Sequence, residues 1–278
     1  MFSFLAPSVQ NGWSRGLGVN LLVAGYHWPE RLKMGSGVYS GYSDDFPAYS
    51  YSVDISAELI VAPVLTVKTK PSNYTIRPRK ILTEPKKLTF KRNSNNNKLL
   101  NDGTDNRRIH VILHEDMSNY TIASLEKDTH GEEVTSHLCH ETDNFCCDVT
   151  YKSNTSLIYK HIIYSGLIVK GYGAYQIYSQ FCSVVWCRNE NHTSCAFVEF
   201  GVPGPDDFGP AKFTAEFQAA EVFPLGIKRD LYLLEKDKYH LQNNGNGSYV
   251  AEIYSSVSDL LSLGLYGRWY DKDPEITI

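Results

Sequence analysis

The sequence predicts an α/β segment followed by a disulfide-braced, mainly β region, and three observations carry that reading. Residues 4–17 have helical spacing and run directly into the apolar stretch Leu21-Leu22-Val23-Ala24. From Ile109 onward, strand patterns follow one another without a helix between them. All six cysteines lie between Cys139 and Cys195. The expected divisions are 1–68, 69–108 and 109–278.

In residues 4–17, Phe4, Leu5, Val9 and Trp13 can share a helix face, and Pro7 is tolerated in a first turn. Gly16 and Gly18 are expected to stop the helix. Val19 to Ala24 then reads as a strand covered on both faces, because its apolar run does not alternate. Gly35-Ser36-Gly37-Val38-Tyr39 reads as a turn into a second strand. Tyr51 to Ile55 and Leu59 to Val67 complete the first region.

Residues 69–108 read as a polar connection, in which Pro71, Pro78 and Pro85 recur and Asn93 to Asn97 is of low complexity. Beyond it, expected strands cover 109–114, 120–125, 147–152, 157–169, 175–186, 196–200, 213–222, 231–234, 249–254 and 261–270. Turn signals such as Asn243-Asn244-Gly245-Asn246-Gly247 separate them. This region reads as an all-β sandwich or barrel.

Composition excludes several classes of function. With 42% hydrophobic and 13% aromatic residues the chain is of folded, globular type. A net charge of −4 argues against nucleic acid as a partner. From Lys68 to Arg108, twelve basic residues face three acidic ones, yet no nucleic-acid motif accompanies them. A solvated loop is the expectation there. No apolar run approaches the roughly 20 residues of a membrane helix. Met1 to Leu5 lacks the basic and apolar regions of a signal peptide. Five sequons, at Asn73, Asn119, Asn154, Asn191 and Asn246, together with the clustered cysteines nonetheless point to an extracellular glycoprotein whose leader lies outside this sequence.

Cys139, Cys146, Cys147, Cys182, Cys187 and Cys195 read as disulfides. Zinc is the alternative, with His137, His140 and His192 as further ligands, but the spacings lack the short repeated pairs of structural zinc. No metal and no cofactor are expected. Neighbouring cysteines bond each other only with strain. Cys146 and Cys147 should therefore reach different partners, and the connectivity stays open. Each closed loop contributes roughly 2–4 kcal/mol. Cys139, flanked by His137 and His140, is a conceivable nucleophile, but an even cysteine count favours its pairing. Gly37-Val38-Tyr39-Ser40-Gly41 places Ser40 one position late for a nucleophile elbow. Gly35-Ser36-Gly37 lacks the Lys-Ser/Thr of a phosphate loop. Both read as tight turns, His27 as a structural histidine, and Asp44-Asp45 and Asp206-Asp207 as solvated pairs.

Several stretches, in order, resemble the vanin/biotinidase branch of the nitrilase superfamily. Val19 to Ala24, His27-Trp28-Pro29, Met34 to Tyr39 and Leu59 to Val67 resemble the end of that family's αββα nitrilase-like domain. Phe145-Cys146-Cys147-Asp148-Val149-Thr150-Tyr151-Lys152, Tyr178 to Cys187 with Cys195, and Leu265 to Asp273 resemble its C-terminal β domain. The resemblance implies secreted or surface glycoproteins that hydrolyse amides such as pantetheine or biotin amides. It implies a Glu–Lys–Cys triad of base, oxyanion stabiliser and nucleophile. No position here matches that triad; Glu30, Lys33 and Cys139 are present only as residue types. The expectation is the C-terminal part of such an amidohydrolase, inactive alone, with a small amide as partner only in the full-length enzyme. The alternative is a free-standing, non-catalytic secreted glycoprotein. Residues 1–68 would then be an incomplete nitrilase-like end, and an exposed apolar surface is expected near Leu21 to Ala24.

Overall fold

The computed structural model describes residues 6–25, 36–41, 47–49, 59–64, 117–127, 131–152, 157–170, 175–196, 207–219, 221–229 and 233–274. The expected strands at 51–55 and 109–114, the connection at 69–108, and residues 197–200 of another expected strand lie outside them.

Helix α1 spans Ala6–Leu17. Gly16 continues it, and Gly18 ends it. At φ +62° the latter takes the left-handed conformation that lets Val19 N–H donate to Ser14 O at 3.0 Å. The Ser14 hydroxyl donates to Val19 O at 2.6 Å and fixes the exit. Three short strands follow, β1 (Leu21–Val23), β2 (Gly37–Tyr39) and β3 (Ala48–Tyr49), paired antiparallel in that order.

Here the structure corrects the sequence reading. β1 is an edge strand among the described residues, and Leu22 is 68% exposed rather than covered on both faces. An apolar run shows that a strand could be covered; whether it is depends on partners elsewhere in the fold. Residues 59–64 form no ladder, and Leu59 and Val61 are exposed. Pro63 removes one backbone donor from that stretch.

The main body is a sandwich of two five-stranded antiparallel sheets. Its strands are β4 (Thr121–Ser124), β5 (Val134–Cys139), β6 (Cys146–Tyr151), β7 (Ile158–Lys170), β8 (Tyr175–Cys187), β9 (Asp207–Phe208), β10 (Ala211–Glu216), β11 (Glu221–Lys228), β12 (His240–Gly245), β13 (Ser248–Ile253), β14 (Val257–Ser258) and β15 (Leu260–Arg268). One sheet runs β12-β13-β10-β6-β5 and the other β11-β15-β8-β7-β4, with β9 and β14 as a small extra pair.

Alternation builds the core. In β10, Ala211, Phe213 and Ala215 are buried while Lys212 and Glu216 face solvent. Cys147, Val149 and Tyr151 of β6 do the same. The opposing sheet contributes Ile162, Phe181, Val184, Leu225 and Leu263 to one continuous cluster. Rings interlock inside it, Phe145 against Phe217 at 4.9 Å and Phe181 against Tyr266 at 4.7 Å.

β5 and β12 were not among the expected strands, and 213–222 divides into the end of β10 and the start of β11. β12 (HLQNNG) is largely exposed and polar, so it carries no apolar period to read. Its turn was legible: Asn246 (φ 51°) and Gly247 (φ 80°) form a two-residue hairpin loop with positive φ at both positions.

Candidate functional site

The cysteine cluster resolves into three disulfides, Cys139–Cys146, Cys147–Cys182 and Cys187–Cys195, and none of the six cysteines is free. The adjacent pair splits because neighbours on a strand face opposite sides. Cys147 points into the sandwich and bonds Cys182 of β8, joining the two sheets, with both residues buried. Cys146 points outward and bonds Cys139, its direct partner in the β5–β6 ladder. Cys187–Cys195 closes the loop after β8 and is buried as well. Only Cys139–Cys146 is partly open to solvent.

Two histidines flank this frame. His137 is exposed; its Nδ1 lies 2.7 Å from Asp148 Oδ1 and its Nε2 lies 3.2 Å from Cys139 Sγ. His161 of β7 is fully buried. Its Nδ1 lies 3.0 Å from the Ser136 hydroxyl and its Nε2 faces Cys182 Sγ at 4.0 Å. Burial pushes the His161 imidazole down to about 4, with Asp148 opposing the shift and His137 adding to it. His161 is therefore neutral at physiological pH.

The turn between Cys139 and Cys146 is anchored. Phe145 is buried, His140 N–H donates to Phe145 O at 2.8 Å, and Asp143 accepts from the Ser165 hydroxyl. Ser165 in turn accepts from Gln180 Nε2 at 3.2 Å, deep in the core.

Among the described residues two groups meet the distance requirement for metal binding, His137 with Cys139 and Cys146, and His161 with Cys147 and Cys182. In each the two sulfurs are bonded to one another and offer no thiolate to an ion. His140 pairs with Asp143 at 3.1 Å, and His192 lies exposed on a single 3-10 turn.

A second feature is a cleft of about 920 Å³ between α1, β11 and β12. Arg15, Glu221, Glu235, Asp237, Tyr239 and His240 line it. Arg15 Nη2 donates to Tyr239 O at 3.2 Å, and Glu221 Oε2 is shut away from solvent with no hydrogen-bond partner among the described residues. Burial raises the phenols of Tyr239 and Tyr249, the latter with help from Glu221. Ser40 reaches the cleft, but its hydroxyl donates to Asn20 Oδ1 at 3.1 Å, which is amide and not base chemistry. Ser36 clasps Gly25, accepting from its N–H at 2.8 Å and donating to its carbonyl at 3.2 Å. Both therefore serve as turn residues.

Asn119, Asn191 and Asn246 are exposed in turns, and Asn191 Oδ1 accepts from Thr193 N–H at 3.0 Å. Asn73, Asn154, His27, Glu30, Lys33, Asp44, Asp45 and Asp206 lie outside the described residues, while Asp207 is exposed on β9. Sequence reasoning missed Asp148 and His161. Asp148 was findable: it stands two residues after Cys146, as His137 stands two before Cys139, so a cross-strand bond between these cysteines makes them opposite neighbours.

Taken together, these features define a β-sandwich module with three disulfides, joined to a short α/β segment, with all six cysteines paired. Residues 109–273 match the Vanin C-terminal domain, and the chain belongs to the vanin family, as a C-terminal portion. It is 23% identical to Pantetheine hydrolase VNN2 of Homo sapiens over 279 residues, covering 96% of this chain and 46% of that protein. It is likewise 23% identical to the Pantetheinase of Mus musculus over 282 residues and to that of Canis lupus familiaris over 276 residues. The chain spans about half the length of the curated relatives it matches.

Proposed function

We propose that this chain is the C-terminal part of a secreted vanin-like amidohydrolase and does not hydrolyse amides by itself. In this reading residues 1–68 close a nitrilase-like domain, 69–108 connect, and 109–278 form the β domain. The intact protein would act on linear amides such as pantetheine or biotin amides. One observation carries the inactivity: every cysteine of the chain is in a disulfide, and a thioester mechanism needs a free cysteine thiolate. The exposed Leu22, Leu59 and Val61 support the first assignment, since they offer an apolar surface to further protein. Secretion is supported by the three disulfides and by the exposed sequons at Asn119, Asn191 and Asn246. Among the described residues no helix is long and apolar enough to cross a membrane.

The test is to express the chain behind an export leader and incubate the purified product with pantetheine, following release of the acid product. The expected outcome is a mobility shift on glycosidase treatment and no turnover. Acid release in proportion to the chain's concentration would overturn the reading.

A further inference from the structure

We propose that Cys139–Cys146 is a thiol-exchange site, in which His137, held by Asp148, makes Cys139 the leaving sulfur when a small-molecule thiol attacks Cys146. The starting point is a contrast among the three disulfides. Cys147–Cys182 and Cys187–Cys195 are buried, with none of their cysteines more than 1% exposed. Cys139–Cys146 lies on the outer face of its sheet, where an incoming thiolate can reach it. Outward-facing ladder positions line up there in a row: Thr135 opposite Thr150, His137 opposite Asp148, and Cys139 opposite Cys146.

The polar pair beside the sulfurs has the arrangement of an activated cysteine. With Nδ1–H of His137 donating to Asp148 Oδ1 at 2.7 Å, Nε2 is the nitrogen left toward Cys139 Sγ at 3.2 Å. No histidine contact of this kind is found at Cys146 among the described residues. The two sulfurs are therefore unequal. An external thiolate that attacks Cys146 Sγ forms a new S–S bond there and breaks the bond to Cys139. The electron pair passes to Cys139 Sγ, and the proton given up by the incoming thiol is held at His137 Nε2 beside it. A second thiol attacking the external sulfur of the mixed disulfide releases Cys146 as a thiol. Two thiols are thereby oxidised to one disulfide while one protein disulfide is reduced to two thiols. The leaving sulfur whose anion is better stabilised departs faster, which directs attack to Cys146.

The fold also makes the cycle reversible. The β5–β6 ladder, the buried Phe145 and the Asp143–Ser165–Gln180 chain hold the hairpin without help from the disulfide. After reduction the two thiols remain opposite one another, and Cys139 is placed to expel an adduct from Cys146. Asp148 is a positioning residue here. On the same outer face β10 presents Lys212, opposite Thr150 and paired with Glu252 at 3.0 Å, and Glu216, one position past Ala215; behind the sheet the His161 ring of β7 is buried and neutral, and β4 offers no titratable group.

The test uses the full oxidised chain with limiting glutathione at neutral pH, quenched with iodoacetamide and mapped by peptide mass spectrometry. The expected result is glutathione on Cys146, alkylation on Cys139, and no modification of the four buried cysteines. H137A should slow the reaction by about tenfold, and D148N should slow it less. After full reduction of this bond, alkylation of Cys139 in the wild type should persist at lower pH than that of Cys146, and H137A should merge the two profiles. Reaction first at a buried disulfide, glutathione on Cys139, no reaction at all, or a rate and pH profile indifferent to H137A would each overturn the proposal.

Discussion

His161 places an ionisable ring where no charge can be solvated, and that makes acid sensitivity a property of one residue. Its imidazole titrates near 4 in the folded chain, against about 6.5 in the unfolded one. Above about pH 6.5 neither state is protonated and the full stability is present. As pH falls from about 6.5 towards 4 the unfolded chain binds a proton that the folded chain refuses, so stability declines by up to about 3 kcal/mol. Below the folded value this residue takes away nothing more. Asp273, held below the ordinary carboxylate range first by its hydrogen bond from Arg268, and Glu252, held down first by Lys212, act in a lower window. Urea midpoints between pH 7 and pH 4.5 should fall in the wild type, and H161Q should flatten much of that slope. An unchanged slope in H161Q would assign the acid response elsewhere. Nothing in the sequence around His161 marked it, because its face of β7 mixes Tyr159, Ile163 and the buried Ser165, so no apolar period singles out a polar interruption.

Docking of α1 on the sandwich illustrates how an element depends on backbone access. Ser8 accepts from Gly226 N–H at 2.9 Å, and Arg15 reaches Tyr239 O, so one face of the helix is fastened to β11 and the segment before β12. Between these contacts Gly12 and Gly16 let the helix come close. A Cβ at Gly12 would lie 2.3 Å from the Pro224 carbonyl oxygen, whereas one at Gly16 would meet the Phe223 ring at 2.8 Å. A carbonyl in a paired strand cannot yield as a ring can. Alanine gains about 1 kcal/mol of helix propensity at either position, but forced overpacking costs about 1–3 kcal/mol. G12A should therefore loosen α1, seen as faster amide exchange across Ala6–Leu17, while G16A should leave exchange nearly unchanged. Equal effects would mean that the helix is held by its ends alone. The helix itself was legible from the spacing of Val9 and Trp13. Its destination was not, because the contact lies more than 200 residues away in sequence and is made through glycines, which carry no side-chain pattern. The same limit explains the missed β5 and β12: both owe their place to a ladder partner and have little apolar period of their own.

At the scale of the whole molecule, the adjacent cysteines divide two tasks between the faces of one strand. Cys147 looks inward and ties the sheet containing β6 to the sheet containing β8, across 35 residues of chain. Cys146 looks outward and closes a hairpin whose ends are separated by only 7 residues. Chain entropy makes these bonds unequal in stability, about 4 kcal/mol for the longer loop against about 2.5 kcal/mol for the shorter. Native restraints widen the gap. The hairpin is already held by its own ladder and by Phe145, whereas the two sheets meet through side-chain packing and scattered polar contacts such as Ser136 with His161, without a ladder between them. Replacing Cys147 and Cys182 together by alanine should lower the denaturant midpoint strongly, and replacing Cys139 and Cys146 together by serine should lower it much less. The second variant should also keep the near-ultraviolet signature of the aromatic core, since Phe181, Tyr266 and Phe217 pack away from the outer face. If the two double variants lost equal stability, the outer bond would be a structural brace like the inner one, and an exchangeable disulfide at that position would be too costly for the fold to open.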